Sequence, residues 1–164
     1  MTTGHPRKPV DLTAVPPALR AIIAGVAGLI AWEAFASLIA PLWIGERLDP
    51  SGLVQAAFGI QSAAVALLVH IATGLVVFPL VYAWGVERVL PRLVPGMPWI
   101  VRGLLYGAGL WVFAMWVVAG LLAGFPAFLG FGTVAWASLA GHLAYGVVLA
   151  AASDWLESRA RDDV

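Results

Sequence analysis

Long apolar runs, separated by short polar stretches, dominate the chain. Four of them are long enough to cross a bilayer core, which takes about 20 helical residues. They show no alternation of period two and are too long for barrel strands, so each run predicts a transmembrane helix. The predicted spans are residues 19–42, 53–86, 100–122 and 133–152, within a transmembrane domain of residues 19–155.

Residues at the ends of these runs are typical of helix boundaries. Pro41 is predicted to end the first helix, and Asp49 to cap the second, with Pro50 at its first position. The prolines of "LPRLVPGMPW" predict the second loop, and the uncharged "AGFPAFLGFG" predicts a third loop in the membrane interface. The second run exceeds a simple span, so it should tilt or extend beyond the membrane. Pro79 within it predicts a kink, because proline leaves the Leu75 carbonyl without a donor.

Composition supports the membrane class and excludes several functions. The 164 residues are 62% hydrophobic and 11% charged, with a mean hydropathy of +0.93. The formal net charge of zero gives no basic field for nucleic acid. The chain has no cysteine, which excludes disulfides and thiolate sites. We find no P-loop, dinucleotide fingerprint, G-x-S-x-G or H-E-x-x-H motif, so we do not expect an enzyme.

The basic residues predict the orientation in the membrane. Eight of the nine Lys and Arg lie in the N-terminal tail (residues 1–18), the second loop, the C-terminal tail (residues 156–164) or next to them, and only Arg47 lies on the other side. The positive-inside rule therefore predicts a multi-pass membrane protein with both termini cytoplasmic. The eight residues are Arg7, Lys8, Arg20, Arg88, Arg92, Arg102, Arg159 and Arg161.

An internal repeat relates the second and fourth runs. "HIATGLVV" at residues 70–77 and "HLAYGVVL" at residues 142–149 share His, Ala, Gly and one Val at matching positions. The first and third runs align more weakly, through an Arg-x-x-x-x-Gly spacing that both contain. The simplest interpretation is a duplicated two-helix hairpin, its halves related by a pseudo-twofold axis along the membrane normal.

Three ionisable residues lie at similar depth inside the predicted spans. At about 1.5 Å per helical residue, His142 lies about 18 Å from Asp154, and Glu33 about 20 Å from Arg20. His70 falls at a comparable level by the same measure. Such residues inside a membrane are costly unless they are neutral, paired or hydrated.

We weigh four interpretations of these residues. The first is structural: neutral histidines bonded to neighbouring helices, with Gly74 and Gly146 one turn away allowing close packing. The second is a b-type haem held by His70 and His142, and the third is a metal site of both histidines and Glu33. The fourth is a proton-coupled channel or transporter that uses Glu33.

Small residues also predict helix contacts. The pair Gly103-x-x-x-Gly107 is typical of close helix packing, as are Gly74 and Gly146. The structural interpretation of the histidines agrees with these glycines, so we expect no cofactor, with haem b as the alternative.

The "HLAYG" stretch, preceded by an apolar run with tryptophan, resembles small four-helix bacterial inner-membrane proteins. Among these is a family named after an inner-membrane protein linked to acid resistance. The resemblance rests on His142, Tyr145 and Gly146 and implies a fold more than an activity. The resemblance also implies a location in a bacterial inner membrane. Because the sequence shows no catalytic set and no continuous polar pathway, we expect an accessory subunit, in contact with lipids and other integral-membrane subunits of a larger complex, with a respiratory or electron-transfer complex as the first choice.

Overall fold

The computed structural model describes residues 12–162, and the regular structure in that part of the chain is entirely helical. Four helices are long and apolar enough to span a membrane, which confirms the all-α fold and indicates a multi-pass membrane protein. Much of the N-terminal tail predicted for residues 1–18, with Arg7 and Lys8, lies outside the described residues. The long helices are α1 (Pro17–Ile44), α3 (Ala63–Leu93), α4 (Trp99–Leu122) and α5 (Thr133–Asp162), and α2 (Pro50–Phe58) is short.

The second predicted run consists of two helices, so the prediction of one helix over residues 53–86 was wrong. Gly59 ends α2 in a left-handed conformation (φ 66°), which an ordinary side chain would strain. Ser62 then caps α3 by accepting a hydrogen bond from the Val65 N–H at 3.4 Å. At the start of α2, the Asp49 side chain accepts from the Gly52 N–H with Pro50 at the first turn, which confirms the predicted cap.

Pro41 does not end α1, contrary to the prediction. The helix widens to a π-helical register over Phe35–Ile39, in which each N–H donates five residues back, and it continues to Ile44. In that register the carbonyl left without a donor by Pro41 is that of Ala36. The N–H of Leu48 donates to it at 3.3 Å, so a loop residue replaces the missing helical bond.

A π-helical register and a donor from outside the helix also accompany Pro79 in α3. Residues Thr73–Val77 are π-helical and the Phe78 N–H donates to the Thr73 carbonyl, five residues back. The carbonyl that Pro79 leaves without a helical donor is therefore that of Gly74, one residue before the predicted Leu75. The Tyr145 hydroxyl, from α5, donates to this carbonyl at 2.7 Å. The kink thus becomes a point of attachment between α3 and α5.

Helix α5 is the centre of the bundle, because it packs along both α4 and α1. Glycines allow its close approach to α4: a Cβ on Gly103 would lie 2.7 Å from the Gly146 carbonyl oxygen. A Cβ on Gly107 would collide with the His142 carbonyl oxygen, and one on Gly74 would press on the Leu29 side chain at 3.1 Å. The backbone contacts at Gly103 and Gly107 exclude a larger residue, so these two glycines allow α4 and α5 to pack together.

Helices α3 and α4 make little contact with each other. They meet towards the end of the bundle where α1 begins and α5 ends. There the Tyr106 hydroxyl donates to the Phe78 carbonyl at 2.6 Å and the Tyr106 ring contacts Tyr82. Towards the other end a space opens between them.

Beyond the predicted span of residues 133–152, helix α5 continues through Asp162. Glu157 and Arg161 are one turn apart there, and arginines lie in the last turn. The third loop contains a turn at Ala127–Phe131 whose Phe128 and Leu129 adopt positive φ.

Candidate functional site

A crevice of about 560 Å³ lies between α3 and α4, away from the end of the bundle where α1 begins and α5 ends. Helix α2 and the third loop cover it towards the opposite end, through residues such as Leu53 and Leu129. Val77 of α3 and Phe113 of α4 line it from opposite sides and remain about half exposed, so the crevice reaches the outer surface of the bundle. Most of its lining is apolar, as expected for a site inside a membrane.

His142 is held in the wall of the crevice by its own helix. Its Nδ1 lies 2.7 Å from the Ser138 carbonyl oxygen and 3.3 Å from the Ser138 hydroxyl. Because a carbonyl oxygen only accepts, Nδ1 carries a proton and donates it. In the neutral imidazole the other nitrogen, Nε2, is then an acceptor, and no bond from a described residue reaches it.

Trp32 connects the two membrane histidines. Its ring centroid lies 4.5 Å from that of His142, edge-on, and 6.2 Å from that of His70. The Trp32 side chain is only 6% exposed, and its indole N–H is buried without a hydrogen-bond partner among the described residues. The three rings, from α1, α3 and α5, form the inner wall of the crevice, with Trp32 in contact with both histidines.

Glu33 and His70 form an incomplete pair beside this wall. The Glu33 Oε1 and His70 Nε2 atoms are 3.4 Å apart, within ion-pair distance, but their alignment is not that of a hydrogen bond. His70 lines the crevice, whereas Glu33 lies outside it with 37% of its side chain exposed. Among the described residues, neither of these two atoms has a hydrogen-bond partner.

Two hydroxyl groups in the crevice wall already donate their protons to backbone carbonyls. Thr73 donates to the Val69 carbonyl at 2.7 Å, one turn earlier in α3. Tyr145 donates to the Gly74 carbonyl that Pro79 leaves free. Only the lone pairs of these two oxygens can serve another molecule, so both act as acceptors.

The structure brings the predicted histidines together but not all three predicted ligands. His70 and His142 both line the crevice, with Trp32 against both of them. Within residues 12–162, no three His, Asp or Glu side chains are grouped closely enough to hold a metal ion. Glu33 therefore accompanies His70 alone.

Asp49 supplies negative charge at the α2 end of the crevice. Its Oδ1 accepts from the Ser51 hydroxyl at 2.5 Å and from the Gly52 N–H at 3.1 Å. The Ser51 hydrogen bond, followed by the Gly52 bond, holds the pKa of Asp49 below its usual 3.8, so the group is a carboxylate at neutral pH. No Lys or Arg occurs among the described residues that line the crevice.

A second, charged cavity of about 480 Å³ lies at the end of the bundle where α1 begins and α5 ends. There Arg20 of α1 pairs with Glu157 at 3.1 Å, and Arg102 of α4 pairs with Asp154 at 3.2 Å. Both carboxylates belong to α5, so these pairs tie α5 to its two neighbours.

The sequence analysis missed the central position of Trp32. No motif indicated that a tryptophan would contact both histidines. The adjacent Glu33 was the available signal, since residues 32 and 33 place an aromatic ring and a carboxylate at the depth of the histidines.

Comparison with known proteins gives a family without an assigned activity. Residues 15–164 match DUF6789, described as a family of unknown function. The chain belongs to this family. No curated protein and no solved structure matches it. The four apolar helices fit a small membrane protein, and no named relative supports the likeness to the acid-resistance family.

Proposed function

We propose that this protein binds a small membrane-soluble molecule in the crevice between α3 and α4. The observation that carries the proposal is an apolar space of about 560 Å³ with polar groups gathered on its inner wall. Ligand sites are typically apolar cavities of this size with a few convergent polar groups. A space that needed only lipid chains to fill it would gain nothing from His142 and His70, which are costly at this depth.

Two features support access from the membrane. The half-exposed Val77 and Phe113 flank the opening, so a molecule dissolved in the bilayer can reach the crevice sideways. Helix α2 covers the space towards water, which suits an apolar ligand. We further propose that α2 faces the outside of a bacterial inner membrane and that both termini are cytoplasmic, from the distribution of Lys and Arg.

The test is to recover the ligand from purified protein. Ala114 lines the crevice on α4, whereas Val112 on the same helix points to lipid and is exposed. We expect Ala114→Trp to fill the space and Val112→Trp to add the same bulk outside it. Organic extraction and mass spectrometry should recover a stoichiometric molecule from the wild type and Val112→Trp but not from Ala114→Trp. Equal recovery from all three proteins would contradict the proposal.

An accessory-subunit role is the second candidate, and Glu33 favours it. Lipid cannot solvate a carboxylate, yet 37% of the Glu33 side chain lies exposed on the bundle surface in the middle of α1. A neighbouring subunit with a hydrogen-bond donor would cover it. Gly74, Gly103, Gly107 and Gly146 are occupied within the chain, so they are not the contact. We expect co-purifying subunits to be lost in Glu33→Leu but retained in Ile30→Leu, another exposed position of α1.

The remaining predictions stand as alternatives. A haem ligated by His70 and His142 requires Trp32 to leave the space between their rings, and a reduced-minus-oxidised Soret signal would establish it. Proton-coupled transport through Glu33 would require pH-dependent flux that Glu33→Gln abolishes. A duplicated hairpin, with Arg20 and Arg102 in matching positions, is a proposal about origin that leaves these tests unchanged.

A further inference from the structure

The polar groups of the crevice are unequal in hydrogen-bonding capacity. The hydroxyl protons of Thr73 and Tyr145 and the Nδ1 proton of His142 are all donated to backbone carbonyls. What these three residues still offer is lone pairs, most accessibly the Nε2 of neutral His142, which no described residue contacts through a hydrogen bond. His142 Nε2 therefore presents an acceptor in the wall, and a ligand group that reaches it must bring a donor.

Trp32 adds the opposite requirement. An indole N–H can only donate, and this one is buried without a partner next to the His142 ring. A buried donor without a partner costs about 1–3 kcal/mol relative to a bonded one, so an acceptor on the ligand would be favourable here. A ligand group that satisfies both His142 Nε2 and the Trp32 N–H must therefore both donate and accept a hydrogen bond.

We infer that the crevice binds a lipid-soluble alcohol or phenol: an apolar body whose hydroxyl donates to His142 Nε2 and accepts from the Trp32 N–H. This inference rests on the proposed function and names the class of ligand. An ammonium head would satisfy His142 but leave the Trp32 donor without a partner. A methyl ether or a hydrocarbon would leave His142 without a partner.

The electrostatics exclude an anionic head group. The described lining contains no Lys or Arg, Asp49 at the α2 end is a carboxylate, and Glu33 lies beside His70. A fatty acid or a phosphate head would meet negative charge and no cation in an apolar medium. A neutral hydroxyl carries no such cost.

The experiment compares three probes of the same chain length: dodecan-1-ol, dodecyl methyl ether and dodecylamine. Binding to the full chain in nanodiscs is measured by isothermal titration, with Ala114→Trp in identical nanodiscs to subtract partition into lipid. We expect dodecan-1-ol to bind the wild type roughly 3- to 10-fold more tightly than either other probe, the value of one net hydrogen bond. His142→Phe, which keeps the ring, should remove the preference over the ether. Trp32→Phe should remove the preference over the amine, which keeps the class testable if one variant fails to fold.

The outcomes separate the two proposals. If the ether or the amine binds as tightly as the alcohol, while Ala114→Trp still abolishes all binding, the crevice is a ligand site but the hydroxyl class is wrong. If Ala114→Trp binds every probe as the wild type does, the proposed function itself fails. If neither His142→Phe nor Trp32→Phe changes the preferences, other groups bind the hydroxyl of the probe and the inference is overturned.

Discussion

At the end of the bundle where α1 begins and α5 ends, two arginines each lie within 3.2 Å of a carboxylate on α5. Beside the crevice the one histidine–carboxylate pair is longer, at 3.4 Å, and a buried indole N–H has no hydrogen-bond partner among the described residues. Arg20 and Arg102 pair with Glu157 and Asp154, and both pairs join α5 to a neighbour. Glu33 Oε1, His70 Nε2 and the Trp32 N–H are buried without a hydrogen bond in the described part of the chain. Paired groups serve cohesion, while unpartnered groups in a cavity are available to another molecule.

Helix contacts follow the same division. At the ion-paired end α3 meets α4 through Tyr82, Phe78 and Tyr106. Around the crevice the two helices separate, and α3 is held instead to α5 by the Tyr145 bond to the Gly74 carbonyl. The bundle is therefore closed between α3 and α4 towards the arginine–carboxylate pairs and open at the level of Trp32 and the two histidines.

The largest effect should come from the contact that both regions share. In Gly107→Ala the new Cβ would collide with the His142 carbonyl oxygen, which overpacks α4 against α5 and should cost about 3 kcal/mol. Gly109→Ala is the matched control, because a Cβ there meets nothing within 4 Å. Thermal unfolding in detergent, followed by circular dichroism, measures both. Equal midpoints for the two variants would show that the α4–α5 contact is looser than described.

The link across the crevice should have the next largest effect. Tyr145→Phe leaves the Gly74 carbonyl without a donor inside an apolar region, at a cost of about 2 kcal/mol. Tyr82→Phe removes a hydroxyl that is buried without a hydrogen-bond partner, so it should be neutral or slightly stabilising. The same unfolding measurement compares the two, and a larger loss in Tyr82→Phe would contradict the assigned bonds.

The stability of α2, the helix that covers the crevice, should depend on its cap Asp49. Loss of the helix cap in Asp49→Ala should destabilise α2 by about 1 kcal/mol, seen as faster hydrogen exchange of residues 50–58. Since the folded pKa of Asp49 lies below 3.8, its contribution is present above that pH and is lost as the pH falls through the folded pKa.

Asp49→Asn separates charge from capping. Asparagine still caps a helix, so α2 should stay protected in this variant but lose its dependence on pH below 3.8. A loss of wild-type protection already near pH 6 would assign the effect to another group.

The smallest effects should be those of single ion pairs, one in each of the two regions. A double-mutant cycle of Arg102→Met and Asp154→Asn should give a coupling of about 0.5 kcal/mol, because 42% of the Asp154 side chain is exposed and water screens the pair. The cycle of Glu33→Gln and His70→Gln should give less, since those atoms are poorly aligned. A larger coupling for Glu33 and His70 would reverse the comparison between the two regions.

Sequence patterns could predict where the chain crosses a membrane but not which way each helix faces. In a soluble bundle, polar positions mark the outer face of a helix, whereas here lipid-facing and core-facing positions are both apolar. Nothing in the first run therefore indicated that Trp32 turns inwards while Ile30 faces out. Gly59 and Ser62 are typical of a helix end and a helix cap, so they indicate the break between α2 and α3. The prediction missed this break because both residues lie within one long apolar run.

The sequence by itself determined the number of long helices, their apolar character, the Asp49 cap and the similar depth of His70 and His142, because these depend on local composition and on the rise of a helix. Only the tertiary structure decided that the two histidines share one crevice with Trp32 against both, and that Tyr145 completes the bond lost at Pro79. Those features depend on the rotation of helices and on π-helical shifts of hydrogen-bond register. Both are set by packing between distant parts of the chain, which local patterns do not encode.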